Sequence, residues 1–174
     1  MSRNVEIKAR MPGIQAILHK VKGIADQGPI EIAQDDTFFR CDAGRLKLRQ
    51  FSADKGELIF YRRANQAGPK ESFFVRTATA EPAVLREALS LAYGESGRVI
   101  KQRTLFHAGR TRIHLDRVQG LGEFVELEVV LSDGDAIEDG IREAEDIMQK
   151  LGIEPAQLIE SAYVDLLGMA PAGA

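Results

Sequence analysis

Apolar and polar residues alternate with period two in seven stretches of the chain, the mark of strands whose two faces meet unlike surroundings. In residues 4–10, Asn4, Glu6, Lys8 and Arg10 share one face and Val5, Ile7 and Ala9 the other. In 45–49, Arg45, Lys47 and Arg49 alternate with Leu46 and Leu48. Residues 57–63 read as a strand ending at Arg63, and after the turn Gln66-Ala67-Gly68-Pro69 residues 70–77 set Lys70, Ser72 and Arg76 on one face. Residues 99–106 put Lys101 with Arg103, and residues 110–116 put Arg110, Arg112, His114 and Asp116 together. In 123–131, Phe124, Glu126 and Glu128 oppose Val125, Leu127, Val129 and Leu131. Helical spacing predicts helices over 12–24, 82–93, 135–151 and 155–167, with proline at or near the start of three and Gly152 stopping the third. Many strands with few, irregularly placed helices give an α+β chain with a largely antiparallel sheet.

Twelve basic residues fall on one face of successive strands: Lys8, Arg10, Arg45, Lys47, Arg49, Arg63, Lys70, Arg76, Lys101, Arg103, Arg110 and Arg112. A solvated face mixes signs, because like charges opposite each other across strands repel. Repeated on six or seven strands, a basic face implies a polyanion against it, while the apolar face packs on the helices. The net charge of −3 hides this asymmetry. Residues 1–112 hold 20 Lys+Arg and 12 Asp+Glu, whereas residues 113–174 hold 3 and 14. The first part either binds an anion or pairs with the second.

Three carboxylates interrupt the basic face. Glu126 and Glu128, two apart on one strand, point the same way, and Glu6 has a matching place on the first strand. Carboxylate oxygens are ligands for Mg²⁺ or Mn²⁺, which complete their shells with water and substrate phosphates. The spacing equally allows plain ion pairs with neighbouring arginines.

These residues occur in motifs that resemble a known family. Asn4-Val-Glu-Ile-Lys8-Ala-Arg10 is similar to the N-terminal Glu-x-Glu-x-Lys signature of the CYTH family, the triphosphate tunnel metalloenzymes. The resemblance continues through Gly44-Arg-Leu-Lys-Leu-Arg49, Leu58-Ile-Phe-Tyr-Arg-Arg63, Gly68-Pro-Lys70 and Val99-Ile-Lys-Gln-Arg103. It is densest from Arg112 through Asp116 and Gly122 to Glu128, and Ser161-Ala-Tyr163 resembles the family's C-terminal helix. It implies eight antiparallel strands closed into a barrel with a charged lumen and helices packed outside. It also implies Glu6, Glu126 and Glu128 as metal ligands. Lys8, Arg45, Lys47, Arg63, Lys70, Lys101, Arg103 and Arg112 would hold phosphate, with Glu126, Glu128, Lys101 and Arg103 taking part in catalysis. Asp116 would lie near the metal or orient a basic neighbour. The chain departs from the signature at Asn4, a neutral oxygen donor where the family has Glu, which weakens the case for a second metal.

The implied activity is that of a class IV adenylyl cyclase, ATP yielding cyclic AMP and pyrophosphate. The alternative within the family is hydrolysis of thiamine triphosphate or inorganic tripolyphosphate. A rival of another class is a non-catalytic module that binds single-stranded nucleic acid or polyphosphate, which the three carboxylates disfavour. Other motifs carry less. Gly120-Leu-Gly122 lacks the third glycine of a dinucleotide loop, and no P-loop is present. His19, His107 and His114 lack metal-site spacing and read as structural, although His114 shares the charged face. The Phe38-Phe39 and Phe73-Phe74 pairs read as partly core. One cysteine, Cys41, allows no internal disulfide. With 174 residues, no signal peptide and no long apolar run, the expectation is a single cytoplasmic domain spanning 1–174, with no membrane partner. A homodimer is compatible with the sequence.

Overall fold

A computed structural model describes residues 2–169. Eight antiparallel strands close into a barrel: β1 (Ser2–Met11), β2 (Gln27–Phe39), β3 (Arg45–Ser52), β4 (Lys55–Arg63), β5 (Lys70–Thr79), β6 (Glu95–Ala108), β7 (Thr111–Val118) and β8 (Gly122–Leu131). Their order around the ring is β1-β5-β4-β3-β2-β6-β7-β8, and β8 returns to β1. Helices α1 (Gln15–Ile24), α2 (Pro82–Tyr93), α3 (Ile137–Leu151) and α4 (Tyr163–Met169) lie against it.

Closure gives every strand an inner and an outer face, so the alternation in sequence becomes a division between lumen and outer core. Outside, Val5, Ile7 and Ala9 of β1, Ile113 and Leu115 of β7, and Val125, Leu127 and Val129 of β8 form one buried cluster with Ile17 and Val21 of α1 and Ala144, Ile147 and Leu151 of α3. Each Val, Leu or Ile of this cluster contributes about 1.5–3 kcal/mol when withdrawn from water. Helix α3 comes close because Gly140 faces the sheet. A Cβ there would meet Leu131 Cδ2 and Val5 Cγ2 at 2.9 Å. Its end is set by Gly152, whose φ of 71° suits the left-handed cap that closes the last carbonyls.

The elements depart from the periodicity in four places. A thirteen-residue strand, β2, occupies 27–39, where no strand is expected. Its inward positions at Gln34, Asp36 and Phe38 are mostly polar and its outward ones include Asp35, so no apolar face marks it in sequence. The first helix begins at Gln15 rather than 12, with the Ile14 amide donating to Glu123 Oε2 at 2.5 Å. The expected helix 155–167 is broken into a short 3₁₀ turn at Pro155–Gln157, an extended stretch, and α4. The physical reason lies in β1. Its pairing with β5 ends at Glu6–Lys70, leaving an open edge that Leu158 and Ile159 fill, the Ile159 amide donating to the Lys8 carbonyl at 2.9 Å. Finally, Arg110 and Arg10 leave the basic face. Arg110 sits in the two-residue turn after Ala108, where Gly109 takes φ 58°, and pairs outside with Asp135 and Glu143 at 2.9 and 2.8 Å. Arg10 is exposed at the rim over the Phe124 ring.

Candidate functional site

The barrel encloses a cavity of about 260 Å³ whose wall carries eight cationic side chains and five carboxylates. The two signs are unevenly distributed. On β1, β7 and β8 the register sets Glu6 beside Glu128 and Lys8 beside Glu126, then Arg112 beside Glu128 and His114 beside Glu126. Arg112 Nη2 lies 2.7 Å from Glu128 Oε2, and Lys8 Nζ 3.3 Å from Glu126 Oε2. His114 Nδ1 is 3.2 Å from Glu126 Oε1 and 3.9 Å from Glu128 Oε1. Burial pushes the Glu126 carboxyl up, but Lys8, the His114 hydrogen bond and Arg103 outweigh it and hold it well below the usual range. For Glu128 burial is likewise outweighed, by His114 and Arg112. Glu6 differs: burial and the charge of Glu126 raise its carboxyl in spite of its ion pair with Arg63.

The facing wall is basic. Asp36 on β2 is buried and accepts from Lys47 at 2.9 Å and from Arg49 at 2.8 and 2.7 Å. Asp116 on β7 accepts two bonds of 2.7 Å from Arg103 and one of 2.9 Å from the Tyr163 hydroxyl, with Lys101 at 3.9 Å. Burial, reinforced by Arg103, lowers the Lys101 ammonium to about 7, and burial with Arg49 lowers Lys47 to about 8. Arg63 gives one nitrogen to Glu6, while its Nε and Nη2 are buried with no hydrogen-bond partner among the described residues. Asn4 Oδ1 and Gln34 Oε1 are likewise without a partner, and all three residues line the cavity. Buried polar atoms left unpaired cost about 1–3 kcal/mol each, and a bound ligand relieves that cost.

One end of the lumen is filled. Phe38, Val99, Val118 and Phe124, all lumen-facing, form an apolar cluster with Tyr163 that Val164 and Leu167 extend. Arg45 clamps the same segment through two bonds to Asp165 at 2.9 and 2.6 Å. The cavity reaches solvent at the other end, where exposed Arg76 lines it.

Of the residues singled out in sequence, Asn4, Glu6, Lys8, Lys47, Arg63, Lys101, Arg103, Arg112, Glu126 and Glu128 line this one cavity. Arg45 and Lys70 do not. Arg45 holds α4, and Lys70 Nζ is turned to the Gln66 carbonyl at 2.9 Å, its ammonium lowered to about 8 by burial and Arg63. Asp116 fixes Arg103 in a bidentate fork. Sequence reasoning missed Asp36, on the unrecognised β2, whose only sign is the weak alternation Gln34-x-Asp36-x-Phe38. It also set His114 aside for want of a local motif. The barrel register supplies the neighbours that local spacing lacks.

His114, Glu126 and Glu128 can each offer one ligand atom with all three atoms within 4.8 Å of one another. One nitrogen and two carboxylate oxygens suit a divalent cation, and the unpartnered Asn4 oxygen adds a neutral donor in the same lumen. The residues present therefore fit such an ion.

Fold and site together define a closed β-tunnel with an acidic patch facing a basic wall. A family model for the CYTH domain matches residues 2–163, and the chain belongs to that family. It is 22% identical over 166 residues to adenylate cyclase CyaB of Aeromonas hydrophila, covering 91% of this chain and 85% of that protein. The fold is similar to that of PH1012 protein from Pyrococcus horikoshii OT3, with TM-score 0.82, 22% identity, and 94% and 98% of the two chains covered. It is also similar to HpAC1 from Hippeastrum, described as revealing a dominant triphosphatase activity, with TM-score 0.65, 17% identity, and 94% and 93% covered. No helix among the described residues is long and apolar enough to cross a membrane.

Proposed function

We propose that the tunnel binds a triphosphate as its divalent-cation complex and acts as an adenylyl cyclase-like enzyme, converting ATP to cyclic AMP and pyrophosphate. The observation that carries this reading is the opposition, within one lumen, of the Glu126–Glu128 patch and the cations Lys47, Arg49, Arg63, Lys101 and Arg103. Glu126 and Glu128 would hold Mg²⁺ or Mn²⁺, with Glu6 beside them. When bound, the ion would neutralise phosphate charge and acidify the attacking hydroxyl. The protein's own part is positional. Asp116 presents Arg103 in a fixed fork, so its remaining N–H groups meet phosphate oxygens without reorganisation. The free Nε and Nη2 of Arg63 offer two more donors. Lys101, near neutrality when the site is empty, becomes fully protonated beside a triphosphate and neutralises the leaving pyrophosphate. The filled end leaves one mouth for entry. It also argues against a nucleic-acid strand threading the barrel.

The curated relative's name favours cyclisation. The description of the Hippeastrum protein favours a second reading, hydrolysis of the terminal phosphate in the same cradle, with thiamine triphosphate or tripolyphosphate as substrates. Product analysis after incubation with ATP, thiamine triphosphate and tripolyphosphate, each with Mg²⁺ or Mn²⁺, separates them. Cyclic AMP and pyrophosphate from ATP support the first reading, and orthophosphate release supports the second. Failure to bind or turn over any of the three, with either metal, overturns both.

A further inference from the structure

His114 has a position that an ordinary core histidine would not need. It projects into the lumen from β7, directly across from Glu126 on β8, and is buried. The two carboxylates beside it are oriented in the same way. Oε2 of Glu126 is taken by Lys8 at 3.3 Å, and Oε2 of Glu128 by Arg112 at 2.7 Å. Each carboxylate is thereby steered so that Oε1 faces the imidazole, at 3.2 Å for Glu126 and 3.9 Å for Glu128. In an octahedral shell with bonds of about 2.1 Å, neighbouring ligand atoms lie about 3.0 Å apart and opposite ones about 4.2 Å. Both His114 distances fall in that interval. A histidine serving only to orient one carboxylate would need one such contact.

We infer that His114 is a protein ligand of the divalent cation, coordinating through Nδ1 beside Oε1 of Glu126 and Glu128, and that this nitrogen biases the site toward Mn²⁺ over Mg²⁺. The inference rests on the reading that Glu126 and Glu128 hold the cation. Both ions take carboxylate and water, but Mg²⁺ keeps to oxygen ligands, whereas Mn²⁺ begins the transition-metal order in which affinity for nitrogen donors grows. The competing cation is Arg103, whose Nη2 lies 3.2 Å from Glu126 Oε1. Two shorter bonds to Asp116 anchor its guanidinium, so yielding Glu126 Oε1 to an arriving cation costs it the longest of its three carboxylate bonds. Lys8 and Arg112 keep the outer oxygens and so act as positioning residues.

The test is pulsed electron paramagnetic resonance on the full chain loaded with Mn²⁺, without substrate, beside calorimetric titration with Mn²⁺ and with Mg²⁺. The wild type should show hyperfine coupling from a directly bound imidazole nitrogen. His114→Gln should lose that coupling and His107→Gln should keep it. His114→Gln should also weaken Mn²⁺ by more than the roughly 10–100-fold that loss of an outer contact costs, and weaken Mg²⁺ less. Mn²⁺ bound in a manner abolished by Glu128→Gln but without nitrogen coupling in the wild type overturns the inference and leaves the proposed function standing. That measurement needs no folded His114 variant. Coupling that survives in His114→Gln also overturns it. Absence of any Mn²⁺ or Mg²⁺ binding that depends on Glu126 and Glu128, with or without tripolyphosphate, overturns the metal reading itself.

Discussion

The outer surface of the barrel is covered on one side and thinly clad on the other. Strands β1, β7 and β8 lie under α1 and α3, and their outward side chains are almost all buried. Strands β3 and β4 meet α2, and Arg45 of β3 holds α4 at the barrel end, yet many residues of β3, β4 and β5 stay half exposed, Val75 at 52%. The lumen repeats the contrast. The covered side carries Glu6, Glu126, Glu128 and His114, while the thinly clad side with β6 carries most of the cations. A metal shell tolerates errors of only a few tenths of an ångström, so its ligands gain from strands fixed by a dense core. Long lysine and arginine side chains reach a phosphate from a less constrained wall. On the proposed function, precision at the cation and adaptability at the phosphates are divided between the two sides of a single sheet.

The largest expected effect comes from the covered side. Glu126→Gln and Glu128→Gln should each lower turnover of a confirmed substrate by more than the roughly 10–100-fold that losing an outer metal contact costs. Circular dichroism should show the fold intact, and tripolyphosphate should still bind to the remaining cations. Unchanged turnover in both variants would break the division of roles.

Next is the core. Leu127, fully buried under α3, should cost about 2–5 kcal/mol when replaced by alanine, whereas Val75→Ala should stay within about 0.5 kcal/mol. Urea unfolding midpoints decide it. Equal losses at the two positions would show that both sides are packed alike.

A smaller effect is expected from pH. Burial lowers Lys101 from 10.5 to about 7, so between those values the unfolded chain binds more protons than the folded one. Stability of the unliganded protein should therefore rise with pH across that window. A triphosphate favours protonated Lys101, so tripolyphosphate affinity should fall as pH rises through 7, and Lys101→Arg should flatten that fall. Calorimetry on either side of pH 7 measures both. An opposite slope would place Lys101 outside the binding wall.

The smallest concerns Asn4, whose Oδ1 has no partner among the described residues. Asn4→Glu adds a charge to the covered side and should tighten divalent-ion binding, lowering the Mn²⁺ or Mg²⁺ concentration for half-maximal turnover. Metal titration with and without a non-hydrolysable ATP analogue tests it. Two equally tight ions in the unliganded wild type would show that the neutral oxygen costs nothing.

Seven of the eight strands and their inward residues were legible because period two survives closure: whatever faces inward at Lys8 faces inward at Glu6 and Asn4. Helix 82–93 was legible from its proline start and spacing. Strand β2 was not, because Asp36 and Gln34 face a polar lumen while Asp35 and Thr37 face outward, so neither face is apolar. The charge asymmetry posed a choice between an external anion and internal pairing, and the structure shows extensive pairing that still leaves a surplus of cations in the lumen. Glu126, Glu128, Asp116, Asp135, Glu143 and Asp165 of the second part pair with cations of the first, yet the lumen wall keeps eight cations against five carboxylates.

By itself the sequence determined which residues share a face, because that follows from backbone geometry within one strand. It also determined the family, through motifs spread along the chain. Only the tertiary structure decided which faces meet across the barrel, since register between strands far apart in sequence depends on closure and on the packing of α1 and α3. That is why His114 lies beside Glu126 and Glu128, why Arg45 is spent on α4, and why Asp36 holds Lys47 and Arg49. Cross-strand distance has no local signature.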